Sequence, residues 1–179
     1  MVYEDWKKLD SALVYHKKSL ELHIEINSVI GMIRSYSNLG EAYLLQKDYG
    51  KAIANFSEAK VQSEASEKKW SLDHIYDKLA EVYLLTNELD SATLYLDKSL
   101  KHNIEKNEYF GLRTTYANLS KLEKKRGNYK KALEYFELHK EIQDSLLKTQ
   151  KDKELAEVQA KYDTEKQEKE IIRTLKFIN

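Results

Sequence analysis

Alanine occupies positions 12, 52, 92 and 132 of the chain, a constant step of 40 residues. The same step carries Leu39 to Leu79 to Leu119, and Tyr36 to Tyr76 to Tyr116. Tyr3, Tyr43 and Tyr83 share it, and Tyr15, Tyr95 and Tyr135 fall in one register. A fixed period of this size marks one supersecondary unit stacked on copies of itself. Such an array offers long exposed surfaces, which suit binding better than catalysis.

Each copy reads as two helices. Between residues 33 and 66, Tyr36, Leu39, Gly40 and Tyr43 fall at steps of three and four, the spacing of one helical face. Polar Lys47-Asp48 interrupts the pattern. A second apolar series follows with Tyr49, Ala52, Ile53, Phe56 and Ala59. Small residues at 40, 52 and 59 let two helices approach closely, so the unit is an antiparallel helix pair with a short turn. The next copy has Tyr76, Leu79, Ala80 and Tyr83, a turn at Asn87-Glu88, then Leu89, Ala92, Leu96 and Ser99. The third has Tyr116, Leu119 and Ser120, a turn at Gly127-Asn128, then Tyr129, Ala132, Leu133 and Phe136.

These residues resemble the tetratricopeptide repeat (TPR) family, whose pattern runs Leu-Gly-x2-Tyr and then Ala-x3-Phe. Leu39-Gly40-Glu41-Ala42-Tyr43 with Ala52 and Phe56 match it in full. Leu79, Ala80, Tyr83, Ala92 and Leu96 match with conservative changes, as do Leu119, Ser120, Ala132 and Phe136, except that Glu123 replaces the tyrosine. Tyr36, Tyr76 and Tyr116 take the family's tryptophan slot, and Glu64 and Ile104 stand where its closing proline would be. The resemblance covers roughly residues 1 to 145. It implies an all-α, right-handed superhelical solenoid: a partial repeat over 1–28, repeats over about 29–68, 69–108 and 109–147, then a charged helix over 148–179. The period exceeds the family's 34 residues, so each helix should be longer by nearly a turn.

The two ends read differently. Tyr3 sits one period before Tyr43, so the chain is expected to open inside the first helix of a repeat, as a fragment with more repeats upstream. The competing reading makes Trp6 a cap residue of a natural start. From Tyr129 to Asn179 there is neither glycine nor proline, and residues 148 to 170 are mostly Lys, Glu, Asp and Gln. A continuous helix is expected there, of about 75 Å, with Glu157–Lys161 and Glu165–Lys169 at helical pair spacing. Its apolar positions are sparse: Leu147, Leu155, Val158 and Tyr162, then a cluster from Ile171 to Ile178. Such a helix is either solvated and partly frayed, or paired with a partner or a second copy as a short coiled coil. Repeats leading into a Lys/Glu-rich helix also resemble the sensory part of bacterial histidine kinases and helix-turn-helix regulators.

Composition removes several classes. Lys+Arg and Asp+Glu both number 30, so nothing favours nucleic acid or an anionic membrane. Cysteine is absent, which excludes disulfides and a thiol nucleophile. No run of apolar residues is long enough to span a bilayer, and the start has no signal-peptide pattern. The five histidines, His16, His23, His74, His102 and His139, fall in no metal-ligand spacing. No phosphate loop or nucleophile–base set is present, so no enzyme, cofactor or metal is expected, and any kinase activity would belong to another part of the parent protein. The compartment stays open between the cytoplasmic and periplasmic sides of a bacterial cell.

By resemblance, the first helices of successive repeats line a concave groove. The residues one turn from the core slots would face it: Arg34, Asn38, Glu41 and Leu45, then His74, Lys78, Glu81 and Leu85, then Thr114, Asn118, Lys121 and Lys125. Asn38 and Asn118 hold the slot where family members bond a peptide backbone, since an amide serves both N–H and C=O. Arg34, Lys78, Lys121 and Lys125 favour an acidic segment of a protein or peptide. Ser37 and Glu41 replace the lysine–asparagine clamp that one subfamily uses for a C-terminal carboxylate. The competing reading is a passive scaffold or dimerisation element, including a homodimer through the C-terminal helix.

Overall fold

The computed structural model describes the backbone of residues 2–66 and 71–178, and the side chains of 9–66, 71–164, 166 and 167. Among these residues every regular element is helical: α1 (Val2–Glu25), α2 (Val29–Leu45), α3 (Tyr49–Ala65), α4 (Leu72–Leu85), α5 (Leu89–Lys106), α6 (Tyr109–Lys125) and α7 (Tyr129–Ile178). The side chains of Val2, Tyr3 and Trp6, the Glu165–Lys169 pair, the Ile171–Ile178 cluster and the expected repeat boundary near 68 lie outside the described residues. The chain divides into two units, Met1–His139 and Lys140–Asn179.

In the first unit each helix packs on the next, from α1 through α6, and α4 also packs on α6 across the intervening helix. That is the order of a stack of antiparallel pairs, α2/α3 then α4/α5. The helices α2, α3 and α6 have 17 residues each, and α5 has 18.

The turns are near-copies of one another. Asn27, Lys47, Asn87, Asn107 and Gly127 all adopt positive φ, between 52° and 78°. In each case that residue's N–H bonds the carbonyl three back, and the following N–H bonds the carbonyl five back at 2.8–3.0 Å. These are Schellman endings, which satisfy the last carbonyls of a helix. The following residue then begins the next helix: Ser28 and Asp48 accept bonds from the N–H of Gly31 and Lys51. Three of these five turn residues are asparagine, which tolerates that region, and one is glycine; Ser71, at the start of α4, also has positive φ. The turn at Lys47 uses neither.

The expected first-helix remnant near Tyr3 does not form, because α1 is unbroken from Val2 to Glu25. Lys8 occupies the register where Asp48 caps α3, so no side-chain acceptor is there to start a new helix. Residues 1–28 therefore contribute one helix of the second type.

The core follows the 40-residue registers. Ala52 and Ala92, Phe56 and Leu96, and Leu79 with Ile75 and Ala80 are fully buried. The tyrosines fill the space between helices: Tyr83 stacks on Tyr95 at 5.7 Å, and Tyr116 on Tyr135 at 6.1 Å. Their hydroxyls face polar groups where these are near, as Tyr76 donates to Glu64 at 2.8 Å. Lys98 lies over the rings of Tyr76 and Tyr95. Phe136 departs from the pattern, being 49% exposed where Phe56 and Leu96 are at 0%. In α3 and α5 that face is covered by the first helix of the following pair, whereas α7 runs on as helix with no turn. Tyr15 is likewise exposed, unlike Tyr95 and Tyr135.

Polar residues occupy two junctions in matching registers. Between α1 and α2, Ser35 bonds His23 Nδ1 at 3.0 Å and Ser19 at 3.3 Å. Between α5 and α6, eighty residues on, Thr115 bonds Ser99 at 3.0 Å and accepts from Asn103 at 3.2 Å. Gly31 and Gly111 lie directly against the His23 and Asn103 side chains, and a Cβ at either would collide with them. The hydroxyl of Thr115 also donates to Asp77 Oδ2 at 3.0 Å, tying α4 to the α5/α6 junction.

In the second unit, residues 140–164 of α7 are almost wholly exposed. Local pairs support the helix: Lys140–Asp144, Gln150–Glu154 and Gln159–Asp163, each at i,i+4. Leu147, Leu155, Val158 and Tyr162 are all more than half exposed. No described helix is long and apolar enough to cross a membrane.

Candidate partner-binding groove

The first helices α2, α4 and α6 present neighbouring faces, and two concavities open between them. The first, about 430 Å³, lies between α2 and α4 and is lined by Ile30, Ile33, Arg34, Ser37, Asn38, Glu41, Ser71 and His74. The second, about 540 Å³, lies between α4 and α6 and is lined by Glu81, Leu84, Leu85, Asn118, Lys121, Lys124, Lys125 and Tyr129. Both volumes fall in the range of ordinary ligand clefts. Nine of the groove residues expected from sequence thus fall into two clusters. Arg34, Asn38, Glu41 and His74 share the first, and Glu81, Leu85, Asn118, Lys121 and Lys125 share the second.

Between the clusters lies a charge ladder. Glu41 faces His74 at 3.3 Å and Lys78 at 3.7 Å, and Lys78 pairs with Glu81 at 3.2 Å. Lys78 is therefore held between two carboxylates and lines neither cavity. Both of its ion pairs are partly exposed and lie within the chain. Leu45 is 70% exposed and also lines neither cavity.

Asn38 and Asn118 are not equivalent in practice. Asn38 is partly exposed at the wall of the first cavity. Asn118 is buried, and its carbonyl accepts from Lys121 Nζ at 3.2 Å. The amide N–H2 of Asn118 is the donor half of that side chain.

Three features of this region escape the repeat pattern. Lys124 and Tyr129 line the second cavity although neither takes one of the groove slots. Glu123, in the slot of Tyr43 and Tyr83, is buried. Its carboxylate accepts from Arg126 Nη1 at 3.2 Å and Asn128 Nδ2 at 2.7 Å, which ties down the α6–α7 turn. Beneath the groove, Asp77 is 3% exposed, and burial pushes its carboxyl up to about 7. Asp73 adds to the rise, while the hydroxyls of Thr115 and Ser99 and the charge of Lys78 oppose it.

Family models decide the lineage. One described as tetratricopeptide repeat matches residues 31–104, and a second of the same description matches residues 114–143. The chain belongs to the tetratricopeptide repeat family. Among solved structures, this TPR array is similar to BtubC (BKLC) from P. vanneervenii, at 21% identity and a TM-score of 0.64. The match covers 75% of this chain and 56% of that one, so the chain spans little more than half of that protein's length. At that identity the likeness concerns the fold. No curated protein matches the chain.

A TPR array is a protein–protein interaction module, and the chemistry on this one's surface accords with that. Among the described residues, no group of three or more His, Cys, Asp or Glu side chains converges as a metal site.

Proposed function

We propose that the chain is a non-catalytic peptide-binding module that takes an acidic segment of a protein partner along the faces of α2, α4 and α6. We propose further that it serves as the sensory or regulatory part of a bacterial signal-transduction protein. The observation that carries the reading is the convergence of amide, cationic and apolar side chains into two adjoining clefts on one face. An extended segment crossing both clefts would meet Arg34 and Asn38 at one end and Asn118 and Lys121 at the other. Burial of side chains in preformed clefts, with main-chain bonding by amides, is how peptides gain affinity without large interfaces.

The test is affinity capture on the immobilised chain, with the bound proteins identified by mass spectrometry. The comparison is with a variant carrying Arg34→Glu and Lys121→Glu, both exposed positions. Loss of the same identified partners from the variant, with its melting temperature unchanged, supports the groove. Identical capture by both proteins favours a passive scaffold.

That second reading has one observation of its own. The exposed Leu155, Val158 and Tyr162 stand at steps of three and four on α7, the spacing of a helix-pairing seam. Sedimentation of the full chain against the chain truncated after Gln150 tests it. Equal association states would end the proposal of a homodimer through this helix.

A further inference from the structure

The three first helices differ at one set of registers. Positions 41, 81 and 121 hold Glu, Glu and Lys; positions 44, 84 and 124 hold Leu, Leu and Lys; positions 45, 85 and 125 hold Leu, Leu and Lys. The fold is thus content with glutamate and leucine there, and α6 alone carries three lysines. Lys124 and Lys125 lie in the last turn of α6, where a helix favours cations. Lys121 lies a turn earlier, and the helix end accounts for none of the apolar surface beside it. That surface is Leu84, Leu85 and Tyr129, in the same cavity, with Leu85 52% exposed.

Two of the lysines bond only neutral groups. Lys121 bonds the neutral amide of Asn118, and Lys125 reaches that of Asn87 at 3.4 Å. None of the three makes an ion pair among the described residues, whereas Lys78 makes two. The cavity is therefore an apolar floor rimmed by three lysines on its α6 side and, on its α4 side, by Glu81, whose carboxylate is paired with Lys78, in a chain of zero formal net charge.

We propose that the α4–α6 cavity is an anchor site for one large apolar side chain of a partner segment, flanked by acidic residues on the α6 side. This deepens the peptide-binding reading and rests on it. Leu84, Leu85 and Tyr129 remove the anchor from water, and Lys121, Lys124 and Lys125 select its neighbours by charge. An inorganic or nucleic-acid phosphate would meet the lysines but leave the floor uncovered. An apolar segment without carboxylates would fill the floor but leave the rim unanswered.

The experiment is selection of a random displayed peptide library on the full chain, followed by titration of enriched peptides into three proteins. These are the unmodified chain, a Lys121→Glu, Lys124→Glu variant and a Leu85→Ser variant, each first matched to the unmodified chain in thermal melting. Enriched peptides are expected to pair a large apolar residue with aspartate or glutamate. Each variant should bind them about tenfold more weakly, and the lysine variant should also lose most of the salt dependence. Enriched peptides without that pairing, or equal affinity for all three proteins, overturn the anchor site. Heparin binding as tight as the peptides' and indifferent to Leu85→Ser would reduce the site to a bare charge patch and overturn it too. A selection that enriches nothing over bare matrix overturns the peptide-binding reading itself.

Discussion

Gly40 of α2 lies flat against the ring of Phe56 on α3: a Cβ built at Gly40 would sit 2.7 Å from Phe56 Cδ1. Phe56 is wholly buried and has no room to retreat. The pair sets how closely the two helices of this hairpin approach.

Gly40→Ala should therefore destabilise the array. Overpacking costs about 1–3 kcal/mol, offset in part by about 1 kcal/mol of helix propensity. Gly50→Ala, on the exposed first turn of α3 with only Asp48 Oδ1 near at 3.9 Å, should instead gain about 0.5–1 kcal/mol. Urea titration of both variants checks the opposite signs, and a shift in the same direction would refute the close-approach argument.

Leu79→Ala should cost about 2–5 kcal/mol, since Leu79 is fully buried. Phe136→Ala removes a larger side chain yet should cost less, because about half of Phe136 already meets water. Chemical denaturation compares them directly, and a larger loss at Phe136 would mean that its face is covered in solution.

Most of the fold is legible in the sequence because the core repeats in one register. Ala52 and Ala92, Leu79 and Leu119, and the turns at 47–48, 87–88 and 127–128 all stand where the period puts them. The turns at Asn27-Ser28 and Asn107-Glu108 carry the same signal, an asparagine able to take the left-handed region just before a helix start. The polar junctions had a signal as well. Ser19, His23, Gly31 and Ser35 stand eighty residues before Ser99, Asn103, Gly111 and Thr115, a doubled period hidden by the apolar one. That the slots on α2, α4 and α6 share neighbouring faces follows from the period. Which charges pair within the chain does not, because Lys78 and Glu41 stand 37 residues apart on different helices. Nor does periodicity mark Lys124 or Tyr129, which join the cavity through the end of α6 and the start of α7.

Stability should depend on Asp77. Burial raises its carboxyl from the ordinary 3.8 to about 7, so between those values the folded chain holds a proton that the unfolded chain has released. The contribution is intact below pH 4 and is lost as pH climbs toward 7, by an amount on the order of 4 kcal/mol. Asp77→Asn keeps the acceptor for Thr115 and removes the charge. The variant should match the unmodified chain near pH 4 and exceed its melting temperature at pH 8. Parallel stability profiles for the two proteins over this range would exclude Asp77 as the source.

Among the five Schellman endings, Lys47 is the one left-handed residue that is neither asparagine nor glycine, at φ 59°. Lys47→Gly should gain about 0.5–1 kcal/mol, as relief of the Cβ strain exceeds the extra chain entropy. Gly127→Ala, at φ 78°, should lose about 1 kcal/mol. Thermal melting of the two variants should move in opposite directions, and a fall for Lys47→Gly would show that the lysine side chain holds the turn.

The lysines that replace Glu81, Leu84 and Leu85 one period later leave Ala92, Leu96 and Leu119 undisturbed. Positions 81 and 85 thus vary between hairpins without touching the buried alanine and leucine registers, whereas Leu84 belongs both to the core and to the cavity wall. Exchanges at the first two alter the face of a hairpin, and an exchange at Leu84 alters its footing as well.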